Sequence, residues 1–204
     1  KIHAMSNRSD GIQFKFNQNL TAQITSLAYT NNSNEKTIIK IPSKISKDGI
    51  YYTVTSFSDN FEINCENIKE IYLPESFNGS KYNILNIIKF NDSCPNLDRI
   101  YVDPKCESLS SDSQGILYNK DKTHLITCPI GKKETVEIPK SVKSIYAHAF
   151  DKCKKIPKSI KIPLNIKLVG NILCSENHES ATNDIDTQYE KIQPHKKIVI
   201  ILLG

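Results

Sequence analysis

Two residue types in this chain invite a chemical reading, cysteine and histidine. Cysteines stand at positions 65, 94, 106, 128, 153 and 174, and histidines at 3, 124, 148, 178 and 195. A thiolate beside an imidazole can act as a nucleophile, and His148 with Cys153, five residues apart, is the pair to weigh. Such a pair needs a third group to orient its base, and the sequence offers none. No two cysteines form a Cys-x-x-Cys, so the usual zinc and redox spacings are missing. A phosphate-cradling glycine loop and a recognisable pair of acid–base carboxylates are missing as well. The expectation is therefore no catalytic residue, no cofactor and no metal ligand, with an unrecognised hydrolase the last of the readings.

The elements that position these residues recur. Ile-Pro or Leu-Pro closes the stretches IIKIP (38–42), IYLP (71–74), VEIP (136–139) and IKIP (160–163). Pro139 and Pro163 are 24 residues apart, while the earlier spacings are longer, so the earlier units are expected to carry loops. ESFNGSKYNILNIIKFNDSC aligns with KSVKSIYAHAFDKC if about six residues, near NGSKYN, are inserted. The physics of a unit is simple. IKEIYL and LDRIYV end in strand-like alternation, and proline closes a strand because it has no N–H to give to a ladder. SVKSI supplies a second short apolar strip. AHAFDKC has room for one helical turn, with Ala149 and Phe150 facing in. One unit cannot bury both strips alone; stacked units bury them against each other.

This repeat weakens the nucleophile pair. Cys94 and Cys153 each close a unit, and Cys65 and Cys174 nearly do, so a recurring buried thiol is expected ahead of disulfides, and disulfides ahead of metal. His148 falls in a variable slot of the unit.

Around the repeats, DGIQFKF and TAQITSLA read as a hairpin that caps the first unit, giving residues 1–34 as an N-terminal cap. Residues 35–174 are the repeats, with YYTVTSF in the first unit. A hairpin insert near 115–129 is formed by GILYNKDKTHLITCP around the polar turn 119–122. Residues 175–204, polar and aperiodic at first, read as a linker or disordered tail.

Composition sets limits on partners. The chain has 204 residues, 38% hydrophobic and 24% charged, which is a globular balance with enough length for a sizeable core. Its net charge of +5 is uneven: residues 129–170 hold ten lysines, and residues 171–190 hold five acids and no Lys or Arg. The basic block could steer an anionic partner, or simply be a solvated face. KIHAMSNRSD lacks the apolar core of a signal peptide and the chain starts at lysine, so a processed form or a fragment is expected. The apolar run 198–203 is six residues long, against the roughly 20 that a membrane helix needs, so no span is expected within this chain. Asn-x-Ser/Thr sequons at Asn7, Asn19, Asn31, Asn78 and Asn91 would permit glycosylation in a secretory route.

Ile138, Pro139, Ser141, Val142, Ile145, Ala149, Phe150 and Cys153 together resemble the BspA-type leucine-rich repeat family. The stretch from Ile100 to Pro139 is similar to that family's recurrent insert, with its Val-Asp-Pro start, Gly-Ile-Leu-Tyr strand and Cys-Pro close. The likeness covers about residues 10–174. It departs at Lys89-Phe90, where Ala-Phe is the pattern, and in the shortened last unit IKIPLNIKLVGNILC. The resemblance implies an α/β leucine-rich-repeat solenoid, strand-rich with short helical turns and without cofactor or catalysis. It implies a cell-surface or secreted adhesin or surface antigen that binds host or matrix proteins. An intracellular, cytoplasmic scaffold of the same fold is the alternative, and nucleic acid is a disfavoured partner. The family brings no common ligand residues, and the sequence does not set an oligomeric state.

A protein-binding face follows from strand alternation instead. If Ile71, Leu73, Ile100, Val102, Ile138 and Ile162 face inward, the residues between them face out. They form a ladder of Lys40, Tyr72, Tyr101, Glu137 and Lys161, with Glu70 and Arg99 one step back on the same face. Tyrosines flanked by charges have the composition of interface hot spots.

Overall fold

The structure is a computed structural model that describes residues 11–28, 37–64, 67–146, 149–150, 160–163, 167–168 and 200–203. It opens on strands β1 (Ile12–Phe16) and β2 (Thr21–Ala28), an antiparallel hairpin. Strand β3 (Thr37–Lys40) leaves for another sheet, and β4 (Lys44–Lys47) turns sharply into the long β5 (Ile50–Asn64). That turn is Asp48-Gly49 with both φ positive, at 52° and 77°, the left-handed pair that matches the twist of a two-residue hairpin. β5 then lies parallel to β2, giving the sheet order β1-β2-β5-β4. Its buried face presents Ala22, Ile24, Leu27, Val54 and Phe57.

After β6 (Ile68–Leu73) comes helix α1 (Lys81–Ser93), the single α-helix among the described residues, and then β7 (Arg99–Val102). Ser80 caps the helix by accepting the Asn83 N–H at 3.3 Å, satisfying one of the otherwise open amides of the first turn. Phe57 anchors the helix to the sheet. It stacks on Phe61 and Phe90 at 4.8 and 5.5 Å and meets Phe77 edge-on at 5.5 Å. The sequence suggested one helical turn per unit; here the extra residues lengthen it to 13, with buried Phe90 filling the core and exposed Lys89 lying over Phe61 at 5.0 Å. At Ala149 and Phe150, which are buried, the chain bends without forming a helix.

The Ile-Pro strands pair in parallel. β3, β6 and β7 form one strip, with Ile39 beside Ile71 beside Ile100, all buried. The remaining chain adds β8 (Leu109–Ser111), β9 (Leu117–Asn119), β10 (His124–Thr127), β11 (Val136–Glu137), β12 (Ser144–Ile145), β13 (Ile160–Pro163), β14 (Lys167–Leu168) and β15 (Ile200–Leu203). β8, β9 and β10 are antiparallel, and β10 continues in parallel through β12 to β14. A second strip runs β11-β13-β15, with Val136 beside Ile160 and Glu137 beside Lys161, the same step of 24 that separates the two prolines.

Two sequence expectations need correction. Ile200–Leu203 is a strand in parallel register with Ile160–Pro163, so the linker or tail reading of 175–204 does not hold for these residues. Cys94 is buried, as its slot requires, but it is disulfide-bonded rather than a thiol, to a cysteine outside the described residues. Recurrence predicts burial of a sulfur and is silent on its pairing. Cys106 and Cys128 are buried and outside any disulfide, and Cys153 lies outside the described residues.

Candidate functional site

The outward residues of the first strip come together. Lys40, Tyr72 and Tyr101 are consecutive rungs, and Glu70 is opposite Arg99. The two tyrosine rings are 4.9 Å apart at 35°, and the Lys40 ammonium sits 5.6 Å over the Tyr72 ring. Charges steady the phenols. Tyr72 donates to Glu70 at 3.3 Å, and Arg99 Nη1 donates to the Tyr101 oxygen at 3.1 Å. Arg99 Nε makes no hydrogen bond and meets the Asp98 carboxylate at 3.4 Å as an ion pair. Burial first, and then the Glu70 charge, pushes the Tyr72 phenol up from its ordinary range. The bond to Tyr101 pushes the Arg99 guanidinium up, so the patch keeps a neutral Tyr72 phenol beside a fixed cation at physiological pH.

Glu137 and Lys161 are neighbours in the second strip, and that strip does not hydrogen-bond to β7 as a strand would. The ladder of five is therefore two separate ladders, a correction caused by the insert, whose chain enters between them. The junction is made by side chains. Gln114 donates its amide to the Glu137 carbonyl at 2.8 Å and accepts the Glu137 N–H at 3.1 Å, so one side-chain amide stands in for a strand's peptide group. Asp112 orients it, accepting from the Gln114 N–H, the Ile116 N–H and the buried Tyr118 hydroxyl. Gly115 is obligatory here: its φ is +74°, and a Cβ would lie 2.5 Å from that of Arg99. Sequence reading missed Gln114. The Asp-x-x-Gly spacing signals a turn, but nothing local says which strand a half-buried glutamine will bridge.

Lys132 changes its role too. It opens the basic block in sequence, yet it is 2% exposed, donates to the carbonyls of Asp98 and Gln114, and pairs with the Asp98 carboxylate at 3.7 Å. It is a clamp across the junction, not part of a basic surface. Asn91, read as a possible glycosylation acceptor, is likewise buried: it donates to Thr127 and Cys128 and accepts from the Ile130 N–H, fastening α1 to the insert. His148 and Cys153 lie outside the described residues. Among the described residues no three His, Cys, Asp or Glu side chains gather as a metal would require, and no helix is long and apolar enough to cross a membrane.

No protein-family model matches the chain, and no curated protein does. The solved structures it is similar to are bacterial leucine-rich repeat proteins and an antigen. A leucine-rich repeat protein from Bacteroides ovatus is 20% identical at a TM-score of 0.47, over 80% of this chain and 37% of that one. The pneumococcal vaccine antigen PcpA is 16% identical at 0.35, over 79% of this chain and 65% of its own. A leucine rich cell surface protein from Faecalibacterium prausnitzii is 16% identical at 0.34, over 81% and 72%. With TM-scores under 0.5 and identities this low, the repeat reading rests on this chain's own register and burial.

Proposed function

We propose that the chain is part of a leucine-rich-repeat solenoid that binds a protein ligand, without catalysis, through the outward face of β3-β6-β7. The observation that carries this is the Lys40–Tyr72–Tyr101 ladder with Glu70 and Arg99 at its rim. Its groups lie on adjacent strands of a sheet face, so they offer aromatic area and fixed charges rather than a cavity. A small molecule needs enclosure, whereas tyrosine and arginine on a sheet face suit another protein's surface. The parallel pairing of successive Ile-Pro strands supports the solenoid, since stacked units require it.

The place of work in this reading is the cell surface, as an adhesin or surface antigen meeting host or matrix proteins. The sequence resemblance supports that, and so does the Cys94 disulfide, which persists in an oxidising compartment and is rare in a reducing cytoplasm. The alternative, a cytoplasmic scaffold, has the same face. Labelling of intact cells with a membrane-impermeant amine reagent separates them. Modification of this protein in unbroken cells, with binding to an immobilised panel of matrix proteins, is the expected result. Protection until lysis would move the protein to the cytoplasm and leave the scaffold reading.

A further inference from the structure

At the opposite chemical extreme from the tyrosine ladder is a cavity of about 410 Å³ between the β1–β2 hairpin, β5 and the start of α1. Its walls are amides and hydroxyls: Asn17, Asn19 and Gln23 on one side, Asn78, Asn83 and Asn86 on the other. Among the described residues Asp59 is the single charged side chain lining it, and no lysine or arginine does. Most ligand clefts are mainly apolar with a few polar groups; this one reverses the proportion. Tyr82, 73% exposed, stands in the lining.

The lining is held in place before any ligand arrives. Asn83 is fixed at both ends, accepting the Phe57 N–H at 3.2 Å and donating to the Asn78 carbonyl at 2.7 Å. Asn86 donates to the Phe57 carbonyl at 3.4 Å and to Asp59 at 3.3 Å, and Gln23 donates to Ser56 at 3.1 Å. The bonds of Gln23 and Asn86 are made by their amide NH₂ groups, and their carbonyl oxygens take no part in them. The Asn19 oxygen accepts from Thr21 at 2.6 Å, which leaves its NH₂ as a donor. Fixed acceptors and donors of both kinds, in a cleft, give affinity because little ordering is left to do on binding.

We infer that this cavity binds a neutral saccharide of about one or two rings. An anion would meet Asp59 with no lining cation to offset it, and a cation would find a single carboxylate that already accepts from Asn86. An apolar ligand would strand the polar walls without partners, which costs on the order of 1–3 kcal/mol for each group left unsatisfied. A sugar hydroxyl both donates and accepts, so it can pair with a carbonyl oxygen and an amide N–H of adjacent side chains. The apolar face of a pyranose ring covers Tyr82, as aliphatic C–H groups cover an aromatic face. A volume near 410 Å³ is at the small end of the range for ligand clefts, roughly 300–1,000 Å³, which suits a chain end or a disaccharide.

The test is saturation-transfer NMR on the whole chain with maltose, lactose and N-acetyllactosamine, beside sialyllactose and a sulfated disaccharide, followed by calorimetry on the best probe. At least one neutral saccharide is expected to receive saturation. Gln23→Ala and Tyr82→Ala each should weaken it tenfold or more with an unchanged thermal melt, since both side chains lie at the cavity wall and outside the apolar core. A deoxy analogue lacking one bound hydroxyl should lose a similar factor, because a site built for that group rejects its absence. The Tyr72→Ala/Tyr101→Ala variant should bind the sugar normally, which keeps this result independent of the protein-binding face. The inference is overturned if no neutral probe binds at millimolar concentration, if an anionic probe is preferred, or if both cavity variants bind as well as the parent.

Discussion

In the strip β3-β6-β7 the residues between the inward-facing positions are Lys40, Tyr72 and Tyr101; in the strip β11-β13-β15 the corresponding pair is Glu137 and Lys161. The parallel register is shared, and Val136 and Ile138 are buried on either side of Glu137 as Ile71 and Leu73 are on either side of Tyr72. The surfaces differ because the outward slots are free of that constraint. The first strip carries stacked rings and charges; the second carries a Glu–Lys rung. Their support differs as well. The first strip shares its core with the Phe57, Phe61, Phe77 and Phe90 cluster, the second with a smaller group of Val136, Ile138, Val142, Ile145 and Phe150. A repeat therefore dictates spacing and burial, and leaves chemistry to be decided unit by unit.

The largest expected effect lies in that difference of support. Phe90→Ala should cost toward the top of about 3–5 kcal/mol, and Phe150→Ala toward the bottom, because Phe90 loses its stacking on Phe57, and among the described residues no ring stacks on Phe150. Denaturant midpoints of the two variants compare them directly, and equal losses would mean the aromatic cluster adds nothing beyond burial. Next in size is the Cys94 disulfide. Reduction, or Cys94→Ala, should cost about 2–4 kcal/mol. Cys106 and Cys128 should label with iodoacetamide only after unfolding, and Cys94 only after reduction, read by peptide mass. Labelling of Cys94 in unreduced, unfolded protein would restore the thiol that its recurrence implied.

The junction gives a smaller effect. Gln114→Ala removes both bonds to the Glu137 backbone, each exposed enough for water to replace it in part, so about 1–2 kcal/mol is expected. Hydrogen exchange at the Glu137 amide should quicken while exchange at the Ile41 amide, bonded to the Tyr72 carbonyl inside the first strip, stays slow. The smallest concerns Tyr118, whose phenol is pushed up by burial and then by the Asp112 charge it bonds to. A folded value above the unfolded one means its contribution is whole below the ordinary tyrosine range, near pH 10, and fades as pH rises beyond it. Phenolate absorbance should show that Tyr118 ionises only as the protein unfolds in alkali, a step absent in Tyr118→Phe.

Burial in the strips was legible in the sequence because alternation is local: Ile71, Leu73, Ile100, Val102 and Ile138 point inward as their spacing requires. The pairing of Tyr72 with Tyr101 was legible for the same reason. What was hidden depends on long-range geometry. Nothing near Gln114 in sequence names Glu137, and nothing near Lys132 says that its amine will be drawn inside by two carbonyls and Asp98. The cavity is assembled from Gln23, Asp59 and Asn86, which share no period, so asparagine-rich composition was its only trace. The disulfide at Cys94 was hidden because recurrence fixes a slot and not a partner.

The central claim is that the tyrosine-bearing strip, and not the other charged surfaces, makes the protein contact. It is tested most directly by titrating a captured protein partner against three forms: the parent chain, Tyr72→Ala/Tyr101→Ala, and a charge reversal of Lys133, Lys140 and Lys143, at low and at high salt. The account predicts a loss of about 2 kcal/mol or more in the tyrosine variant, the usual size for a hot spot. That loss should persist in salt, while the lysine variant binds nearly as the parent does. Undiminished binding by the tyrosine variant, with a salt-sensitive loss confined to the lysine variant, would contradict it and place the contact on the basic block.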